Sequence, residues 1–255
     1  MQLKGAVALV TGGVSGLGEA TARNLLANGA KVSLLDMDEK KGKVLSDELG
    51  SDAVFIQADV TSEKDVQQAV EETVKNFGSI HIVVNCAGIA VAQKALGKKG
   101  PMPLDKFSKV IQVNLVGTFN VIRLAVEKMV NNEPNEEGER GIVINTGSVA
   151  AYEGQVGQAA YSASKGGVLA MVLPLAREFA SHGIRVLGIA PGVFETPMFA
   201  SLPDSAREAL EETTPFPPRL GKTSEFAMLV QSMVQNPMLN GTTVRLDGAL
   251  RLQPK

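Results

Sequence analysis

Short apolar segments alternate along the chain with longer segments in which apolar residues recur at helical spacing. Each apolar segment is almost continuously hydrophobic, which is typical of strands that are buried on both faces of a parallel sheet. The predicted strands are Ala6–Gly12, Lys31–Asp36, Val54–Asp59, Ile80–Ala87, Gly141–Ser148, Ile184–Ala190 and Thr242–Asp247. The predicted helices are Gly16–Asn28, Glu39–Leu49, Glu63–Phe77, Leu104–Asn131, Gln158–Ala180 and Ser224–Gln235.

This alternation predicts an α/β protein, a single-domain Rossmann fold with a doubly wound, seven-stranded parallel sheet. No linker or internal repeat interrupts residues 1–255. We interpret Val91–Pro103 as a loop and Asn131–Arg140 as an acidic, solvated turn. Residues 194–222 are too long for an ordinary connection and follow a late strand, so we expect a substrate lid there.

Composition narrows the class of protein. A hydrophobic fraction of 44% and a charged fraction of 20% are ordinary for a globular domain. The net charge of −2 gives no electrostatic reason to expect nucleic-acid binding. The single cysteine, Cys86, and two histidines predict neither a disulfide nor a metal site. No apolar run approaches 18 residues and the start does not resemble a signal peptide, so we expect no membrane association.

A glycine-rich turn follows the first predicted strand and opens the first predicted helix. It contains Gly12, Gly16 and Gly18, with Ser15 and Leu17 among them. Glycine lets the backbone approach phosphates, and a helix N-terminus adds free N–H groups and a favourable dipole. The spacing matches neither the G-x-G-x-x-G fingerprint nor a P-loop. We interpret the turn as a dinucleotide pyrophosphate site, with a tight strand-to-helix junction as the alternative.

Two carboxylates stand at the ends of predicted strands. Asp36 lies 18 residues after Gly18, where an acid can accept hydrogen bonds from the adenosine ribose hydroxyls. A 2′-phosphate would be repelled there and no arginine follows directly, so the sequence predicts NAD as the cofactor. Asp59, with Val60, closes the third strand, where a carboxylate could contact the adenine amino group. An ordinary strand-end aspartate is the alternative at both positions.

Three further residues indicate catalysis. Tyr161 and Lys165 are four residues apart on a predicted helix, so their side chains share a face. An ammonium beside a phenol favours the phenolate and lowers its pKa, which makes tyrosine usable as a general base. Ser148, at the end of the fifth predicted strand, could bond the same substrate oxygen. Taken singly, each residue also has an ordinary structural interpretation.

These features occur within the motifs "TGGVSGLG", "NCAG", "VNLVG", "YSASK" and "PG". Together they resemble the short-chain dehydrogenase/reductase family along essentially the whole chain, although Cys86 replaces the asparagine that is commoner in "NNAG". The resemblance implies that Ser148, Tyr161 and Lys165 are the catalytic triad, and that Asn114 completes a proton relay through a water. The further cofactor contacts that it implies are Asn85, Ala87, Gly88, Pro191, Gly192, Val193 and Thr196.

Within the family, "NCAGIAVA", "GTFNVIRLA", "EGQVGQAAYSASKGG", "PFPPRLG" and "RLDGALR" are similar to the type II, short-chain 3-hydroxyacyl-CoA dehydrogenases, also known as type 10 hydroxysteroid dehydrogenases. This implies NAD-dependent, reversible oxidation of (S)-3-hydroxyacyl-CoA, side activity on hydroxysteroids and alcohols, and a homotetramer. Gln155 and Gln158 are then candidate substrate contacts, and Lys98 and Lys99 are candidates for the phosphates of CoA. We expect a bacterial cytoplasmic protein, with the mitochondrial matrix as the alternative.

Two other functions stay open. A 3-oxoacyl-carrier-protein reductase would share the triad but usually takes NADPH and carries basic residues near the glycine turn. Val14 and Met37 supply no such charge, although Lys40 and Lys41 lie close by. A cofactor-bound scaffold subunit of a tRNA-processing complex need not keep Ser148 and the other catalytic groups together, so the intact set favours an enzyme.

Overall fold

The computed structural model describes residues 1–197 and 213–254. Its strands are β1 (Val7–Thr11), β2 (Lys31–Asp36), β3 (Ala53–Gln57), β4 (Ile82–Asn85), β5 (Leu96–Gly97), β6 (Gly100–Pro101), β7 (Gly141–Thr146), β8 (Ile184–Pro191) and β9 (Thr243–Leu246). Its α-helices are α1 (Gly16–Ala27), α2 (Glu39–Leu49), α3 (Glu63–Phe77), α4 (Leu104–Ile111), α5 (Thr118–Met129), α6 (Ala159–Ala170), α7 (Val172–Phe179) and α8 (Thr223–Gln235).

Seven of the strands form one parallel sheet in the order β3-β2-β1-β4-β7-β8-β9. The predicted Rossmann-type fold and its seven strands are confirmed. The direction of winding reverses between β1 and β4, where Thr11 pairs with Leu35 on one side and with Asn85 on the other. Ligands of such sheets bind beyond the carboxyl ends of the strands at this reversal.

Helices cover both faces of the sheet, so each face has its own apolar core. On one face, Leu25 of α1 and Phe226 of α8 are fully buried against the sheet. On the other, Val66 of α3, Ile122 of α5 and Phe179 of α7 pack against the opposite sides of the same strands. Burial on both faces explains why the strands read as continuous apolar runs rather than alternating ones.

Two predicted helices are interrupted in ways that the sequence analysis did not anticipate. Between α4 and α5, residues Gln112–Gly117 form a π-helical segment. The helix predicted to run from Gln158 to Ala180 is divided into α6 and α7 at Met171. Pro174 explains the second break, because it has no N–H for the carbonyl of Ala170 and its ring crowds that carbonyl.

Two segments predicted as irregular carry more structure than expected. The loop Val91–Pro103 contains the antiparallel hairpin β5–β6. The turn Asn131–Arg140 is not simply solvated, because Glu139 is buried and its carboxylate lies 2.7 Å from the Arg185 guanidinium.

One helical stretch of the described residues, Leu104–Met129, is long and apolar enough to cross a membrane by length and composition alone. It comprises α4, the π-helical segment and α5, and half of its most apolar window is buried inside the protein. The buried residues Val121, Ile122 and Met129 belong to one of the two cores. We therefore interpret the stretch as a core helix.

Candidate active site

A cavity of about 740 Å³ opens at the reversal point of the sheet, beyond the carboxyl ends of the strands. Most of the predicted site residues line it, although they come from segments spread along the chain. They are Gly12, Ser15, Gly16, Leu17, Gly18, Asp36, Asp59, Val60, Ala87, Gly88, Ser148, Tyr161, Lys165, Pro191, Gly192 and Thr196.

The glycine turn has the shape that a dinucleotide pyrophosphate requires. Gly16 has φ +52°, a left-handed value that other residues adopt only with strain. A Cβ on Gly18 would overlap the carbonyl oxygen of Gly12, so only glycine permits this approach of α1 to the end of β1. Ser15 caps α1 without a side-chain hydrogen bond, which leaves the first helical N–H groups to face the cavity. These features fit a phosphate group at this helix N-terminus.

The two predicted carboxylates lie on the same side of the cavity but differ in how they are held. Asp36 ends β2, and its two oxygens accept hydrogen bonds from the backbone amides of Val14 (3.4 Å) and Asp38 (3.1 Å). Asp59 was expected to end the third strand, but β3 ends at Gln57. One Asp59 oxygen accepts from both the amide and the hydroxyl of Thr61, at 2.9 and 2.8 Å. Asp36 is therefore the carboxylate held by main-chain amides alone.

Ser148 and Tyr161 meet at the far end of the cavity. Ser148 lies two residues beyond the end of β7 and caps the short 3₁₀ turn Val149–Ala151, so its Oγ accepts the N–H of Ala150 at 3.1 Å. Burial raises the pKa of the Tyr161 phenol, and its hydrogen bond with Ser148 acts in the opposite direction. The turn thus fixes the position of the serine hydroxyl beside the phenol.

Lys165 is buried and lies on the same face of α6 as Tyr161. Its Nζ donates to the carbonyl of Thr146 at 2.7 Å and stands 5.9 Å from the centre of the Tyr161 ring. Burial lowers the pKa of Lys165 to about 8. Lys165 was expected to lower the phenol pKa, but burial dominates and raises it. Desolvation thus opposes charge on both side chains.

Asn114 does not line the cavity, because it lies fully buried behind it in the π-helical segment. Its side chain accepts the N–H of Ile89 (2.8 Å) and donates to the Ile89 carbonyl (2.9 Å) and to Ser164 Oγ (3.0 Å). Its oxygen lies 3.2 Å, and Lys165 Nζ 3.5 Å, from where a Cβ on Gly88 would stand. The π segment thus contains a side chain that joins it to α6 and to the loop after β4, as π-helical turns at functional sites often do.

Four other predicted residues lie away from the main cavity. Asn85 is buried and donates to Asn145 at 2.9 Å, and Val193 packs with Leu220 and Leu250. Gln155 lines a separate cavity of about 470 Å³ and donates to the carbonyl of Gln253 at 3.0 Å. Gln158 accepts the N–H of Gln155 at 3.0 Å. The described contacts of both glutamines therefore serve the loop before α6.

The predicted CoA contacts and lid are only partly described. Lys98 and Lys99 are exposed at the tip of the β5–β6 hairpin and line neither cavity. At the start of the predicted lid, Phe194, Thr196 and Pro197 line the main cavity. Residues 198–212 of that lid lie outside the described residues.

The sequence analysis missed several residues that line the main cavity. Lys109 of α4 lines the cavity, and Gln112 and Val113 of the π segment follow it at helical spacings of three and four residues. Their position relative to "VNLVG" could have revealed them, since residues three and four apart share a helix face. The other unanticipated lining residues include Leu35, Met37, Thr61, Ile89, Thr146 and Gly147. The described residues contain no group of three or more side chains that could hold a metal ion.

Comparison with known proteins agrees with this geometry. A family model described as short chain dehydrogenase matches residues 6–207, and the chain therefore belongs to the short-chain dehydrogenase family. It is 55% identical over 254 residues to 3-hydroxyacyl-CoA dehydrogenase type-2 from Bos taurus, covering 99% of this chain and 97% of that protein.

Two solved structures are similar along the chain. A 3-hydroxyacyl-CoA dehydrogenase type-2 from Mycobacterium avium superposes with a TM-score of 0.95 at 42% identity and covers both chains fully. A 3-ketoacyl-(acyl-carrier-protein) reductase from Brucella melitensis, complexed with NADH, has a TM-score of 0.86 at 29% identity and covers 98% of this chain and all of its own.

Proposed function

We propose that this protein catalyses the NAD-dependent, reversible oxidation of (S)-3-hydroxyacyl-CoA to 3-oxoacyl-CoA. The observation that carries the proposal is the meeting of Ser148, Tyr161 and Lys165 in one cavity with the glycine turn and Asp36. The similarity to 3-hydroxyacyl-CoA dehydrogenases type-2 along 99% of the chain supports the choice of substrate.

Oxidation of a secondary alcohol removes a proton from the hydroxyl oxygen and a hydride from the carbon that carries this hydroxyl. The Tyr161 phenolate takes the proton, and the Ser148 hydroxyl donates a hydrogen bond to the substrate oxygen. Lys165 binds the ribose hydroxyls and, as an ammonium, stabilises the phenolate. Asn114 holds the backbone of Ile89 and completes the proton relay through a water. When bound, the nicotinamide cofactor supplies the hydride acceptor.

The choice of NAD over NADP rests on Asp36. Its carboxylate faces the cavity from the end of β2, and a 2′-phosphate beside it would be repelled. Among the described lining residues the only cations are Lys109 and Lys165, which come from α4 and α6, and neither helix is the one that follows β2. No cation of the described cavity wall therefore stands beside Asp36 in the sequence to receive a second phosphate.

Two alternative functions are less well supported. A 3-oxoacyl-carrier-protein reductase would use the same triad, but it favours NADPH, against which Asp36 acts. A scaffold subunit of a tRNA-processing complex would not require Ser148, Tyr161 and Lys165 to face one cavity. Hydroxysteroids and simple alcohols remain expected side substrates, because they present the same secondary hydroxyl group to Tyr161.

We propose a homotetramer, as the resemblance to the type II 3-hydroxyacyl-CoA dehydrogenases implies, and exposed apolar side chains on the described helices support contacts between subunits. Val116, Phe119 and Leu173 are 41–44% exposed, and they lie on the π segment, α5 and α7. Burying such side chains between subunits would remove apolar surface from water. Separately, we propose a location in the bacterial cytoplasm, with the mitochondrial matrix as the alternative. The partners we propose are small molecules and further copies of the chain.

Turnover of acetoacetyl-CoA by the purified protein tests the function. We expect NADH to be oxidised at a rate that saturates with the ester, and NADPH to support much slower turnover. The comparison substrates are an acetoacetyl-acyl-carrier-protein, a hydroxysteroid and a simple secondary alcohol. Preference for the carrier-protein substrate with NADPH would favour the reductase, and efficient turnover of steroids without acetoacetyl-CoA would contradict the substrate proposal.

The Lys98→Ala/Lys99→Ala variant tests the CoA contacts separately. Lysines act on phosphates as point charges, so we expect a several-fold higher KM for acetoacetyl-CoA and a near-normal kcat, with the difference shrinking as salt rises. The matched control is the N-acetylcysteamine thioester of acetoacetate, which lacks the phosphates and should be unaffected. An equal change in KM for both thioesters would remove these lysines from the CoA site.

A further inference from the structure

The segment Arg245–Arg251, with the sequence RLDGALR, is not used by the mechanism above. Arg245 lies in β9, the edge strand of the sheet, yet its guanidinium reaches the loop that connects Ser148 with Tyr161. That loop carries one catalytic hydroxyl at its start and leads directly into the helix that carries the other. Whatever holds the loop therefore bears on the distance between them.

Arg245 and Glu153 form a two-pronged ion pair. Arg245 Nη1 lies 2.7 Å and Nη2 lies 3.0 Å from the two carboxylate oxygens of Glu153. Hydrogen bonds from Arg245 hold the pKa of Glu153 below its ordinary value, so the pair is charged at neutral pH. The guanidinium also lies 5.0 Å from the centre of the Tyr152 ring. Two parallel hydrogen bonds fix orientation as well as distance.

The same arginine is itself held from the other side. Arg245 Nε donates to Asp247 Oδ2 at 2.7 Å, and Arg251 Nη1 lies 3.2 Å from the same oxygen. Arg251 Nε also stands 3.4 Å from Glu153. The Asp247 side chain is only 8% exposed, whereas that of Arg245 is 23% exposed. The nearly buried Asp247 carboxylate therefore holds one side of the Arg245 guanidinium, while the other side contacts Glu153 in the loop.

Backbone contacts hold the loop at its other end. Val156 N–H donates to the carbonyl of Pro254 at 3.0 Å, and the Gln155 side chain donates to the carbonyl of Gln253 at 3.0 Å. On the opposite side, Gln93 N–H donates to the carbonyl of Gly157 at 2.9 Å. The first half of the loop is thus held by contacts of Tyr152 and Glu153 with Arg245, and the second half mainly by hydrogen bonds that involve main-chain carbonyls.

The segment that contains Asp247 and Gly248 also reaches the wall of the cavity and the predicted lid. The Asp247 Cα lies 3.0 Å from where a Cβ on Gly192 would stand, and Gly192 lines the cavity. Just after it, the carbonyl of Gly248 accepts the N–H of Phe216 at 3.3 Å. One short segment therefore touches the loop before α6, the end of β8 and the last part of the lid segment.

We propose that Glu153 and Arg245 are positioning residues that hold the Ser148–Tyr161 loop in the geometry required for the acyl substrate. The proposal rests on the function proposed above. It predicts an effect on the substrate side of the cavity, because Glu153 lies in the loop while the glycine turn and Asp36 lie at the other end. Displacements of about 1 Å at remote positions are known to lower rates by up to ~10²-fold.

A merely structural role would give a different result. Partly exposed ion pairs contribute little to stability. If the pair acted only through stability, its loss would lower the melting temperature slightly and leave the kinetics of the folded enzyme unchanged. A positioning role predicts the reverse, with altered kinetics in a protein whose stability is nearly normal.

The test compares Glu153→Gln with Glu153→Asp and with Glu48→Gln. Glu48 is a matched control, because it forms a two-pronged pair with Arg23 (2.8 and 3.2 Å) away from the loop. For Glu153→Gln we expect kcat/KM for acetoacetyl-CoA to fall by about tenfold, mainly through KM, with the Kd for NADH within about twofold of wild type. Glu153→Asp, which keeps the charge, should recover part of the loss.

Hydrogen–deuterium exchange of residues 149–158 gives a second measurement that needs no turnover. We expect faster exchange there in Glu153→Gln, and wild-type exchange in Glu48→Gln. Unchanged exchange of the loop, or kinetics within twofold of wild type, would overturn the proposal. A wild-type protein that ignores acetoacetyl-CoA would overturn the proposed function instead, and the exchange result would still decide whether Glu153 holds the loop.

Discussion

The two ends of the cavity are built by different means. At the cofactor end, the glycine turn acts through its backbone and Asp36 through a carboxylate that main-chain amides hold, and both lie within 25 consecutive positions, from Gly12 to Asp36. At the catalytic end, Ser148, Tyr161 and Lys165 act through side chains whose positions depend on a capped turn, a buried helix and an ion pair from the edge strand. The first end follows from local chain geometry, whereas the second is assembled by packing.

This difference has a consequence for mutation. Changes at the cofactor end should alter the preference between NAD and NADP and leave the rate of the chemical step unchanged once the cofactor is bound. Changes at the catalytic end should lower the rate of the chemical step and leave cofactor binding unchanged. Lys165 belongs to both ends, because its ammonium binds the ribose hydroxyls and stabilises the phenolate. Replacing Lys165 should therefore change both cofactor binding and the rate of the chemical step.

Tyr161→Phe should give the largest effect and should be confined to the catalytic end. We expect kcat to fall by the ~10²–10⁴-fold typical of general acid–base groups, because phenylalanine has no oxygen that could take up or give the proton. Titration of NADH fluorescence should show nearly unchanged binding. Tyr152→Phe, at the exposed and only other tyrosine, is the control and should be active. Retention of more than about a tenth of the wild-type kcat would contradict the assignment.

Asp36→Ala should give a smaller effect at the cofactor end alone. Removing the carboxylate removes its repulsion of a 2′-phosphate, so the preference for NAD over NADP should narrow by about tenfold, which corresponds to ~1.4 kcal/mol. Steady-state kinetics with both cofactors measures the ratio, and the exposed Asp52→Ala serves as the control. A wild-type enzyme that already prefers NADPH would show that the ribose contact has been misinterpreted.

Lys165→Met should give the smallest of the three changes, a modest gain in stability at neutral pH. Burial lowers the lysine pKa to about 8, below its ordinary value of 10.5, so the folded state disfavours the ammonium. This penalty is fully present below pH 8 and is lost as the pH rises from about 8 to 10.5. The variant should therefore melt a few degrees higher than wild type at pH 7, and this gain should shrink towards pH 10.

The exposed Lys75→Met is the control for that experiment, because it makes the same substitution at the surface. One contribution opposes the gain, because the Thr146 carbonyl loses the donor that lies 2.7 Å away in the wild type. A variant that is less stable than wild type at pH 7 and equally so at pH 10 would show that the hydrogen bond outweighs the desolvation of the ammonium.

Much of the fold could be predicted because its signals are local. Continuous apolar runs identified all seven strands of the parallel sheet, and the glycine turn and Asp36 lie at the ends of β1 and β2 as expected. The boundaries were less accurate, since Asp59 and Ser148 lie two residues beyond β3 and β7 rather than within them. The amides of Ala58 and Gly147 still donate to the neighbouring strands at Asp36 and Ile189, so the chain stays close to the sheet for a residue past each strand end.

The interruptions of the helices had weaker signals. Pro174 could have predicted the break between α6 and α7, because proline cannot donate the helical hydrogen bond. No comparable signal marks Gln112–Gly117, where the π-helical geometry accompanies contacts of Asn114 with residues 25 and 50 positions away. The hairpin β5–β6 is only two residues long on each side, which is too short for an alternating pattern.

Local sequence patterns were enough to predict the strands, the glycine turn, the carboxylate at the end of β2 and the spacing that puts Tyr161 and Lys165 on one helix face. These depend on neighbouring residues, whose geometry the backbone fixes. The direction in which the pKa values of these two groups shift became clear only in the folded chain. The same holds for the burial of Asn114 and for the contact of Arg245 with Glu153, which are 92 residues apart. Desolvation and contacts between distant residues depend on what surrounds a side chain in space, and only the folded chain brings those groups together.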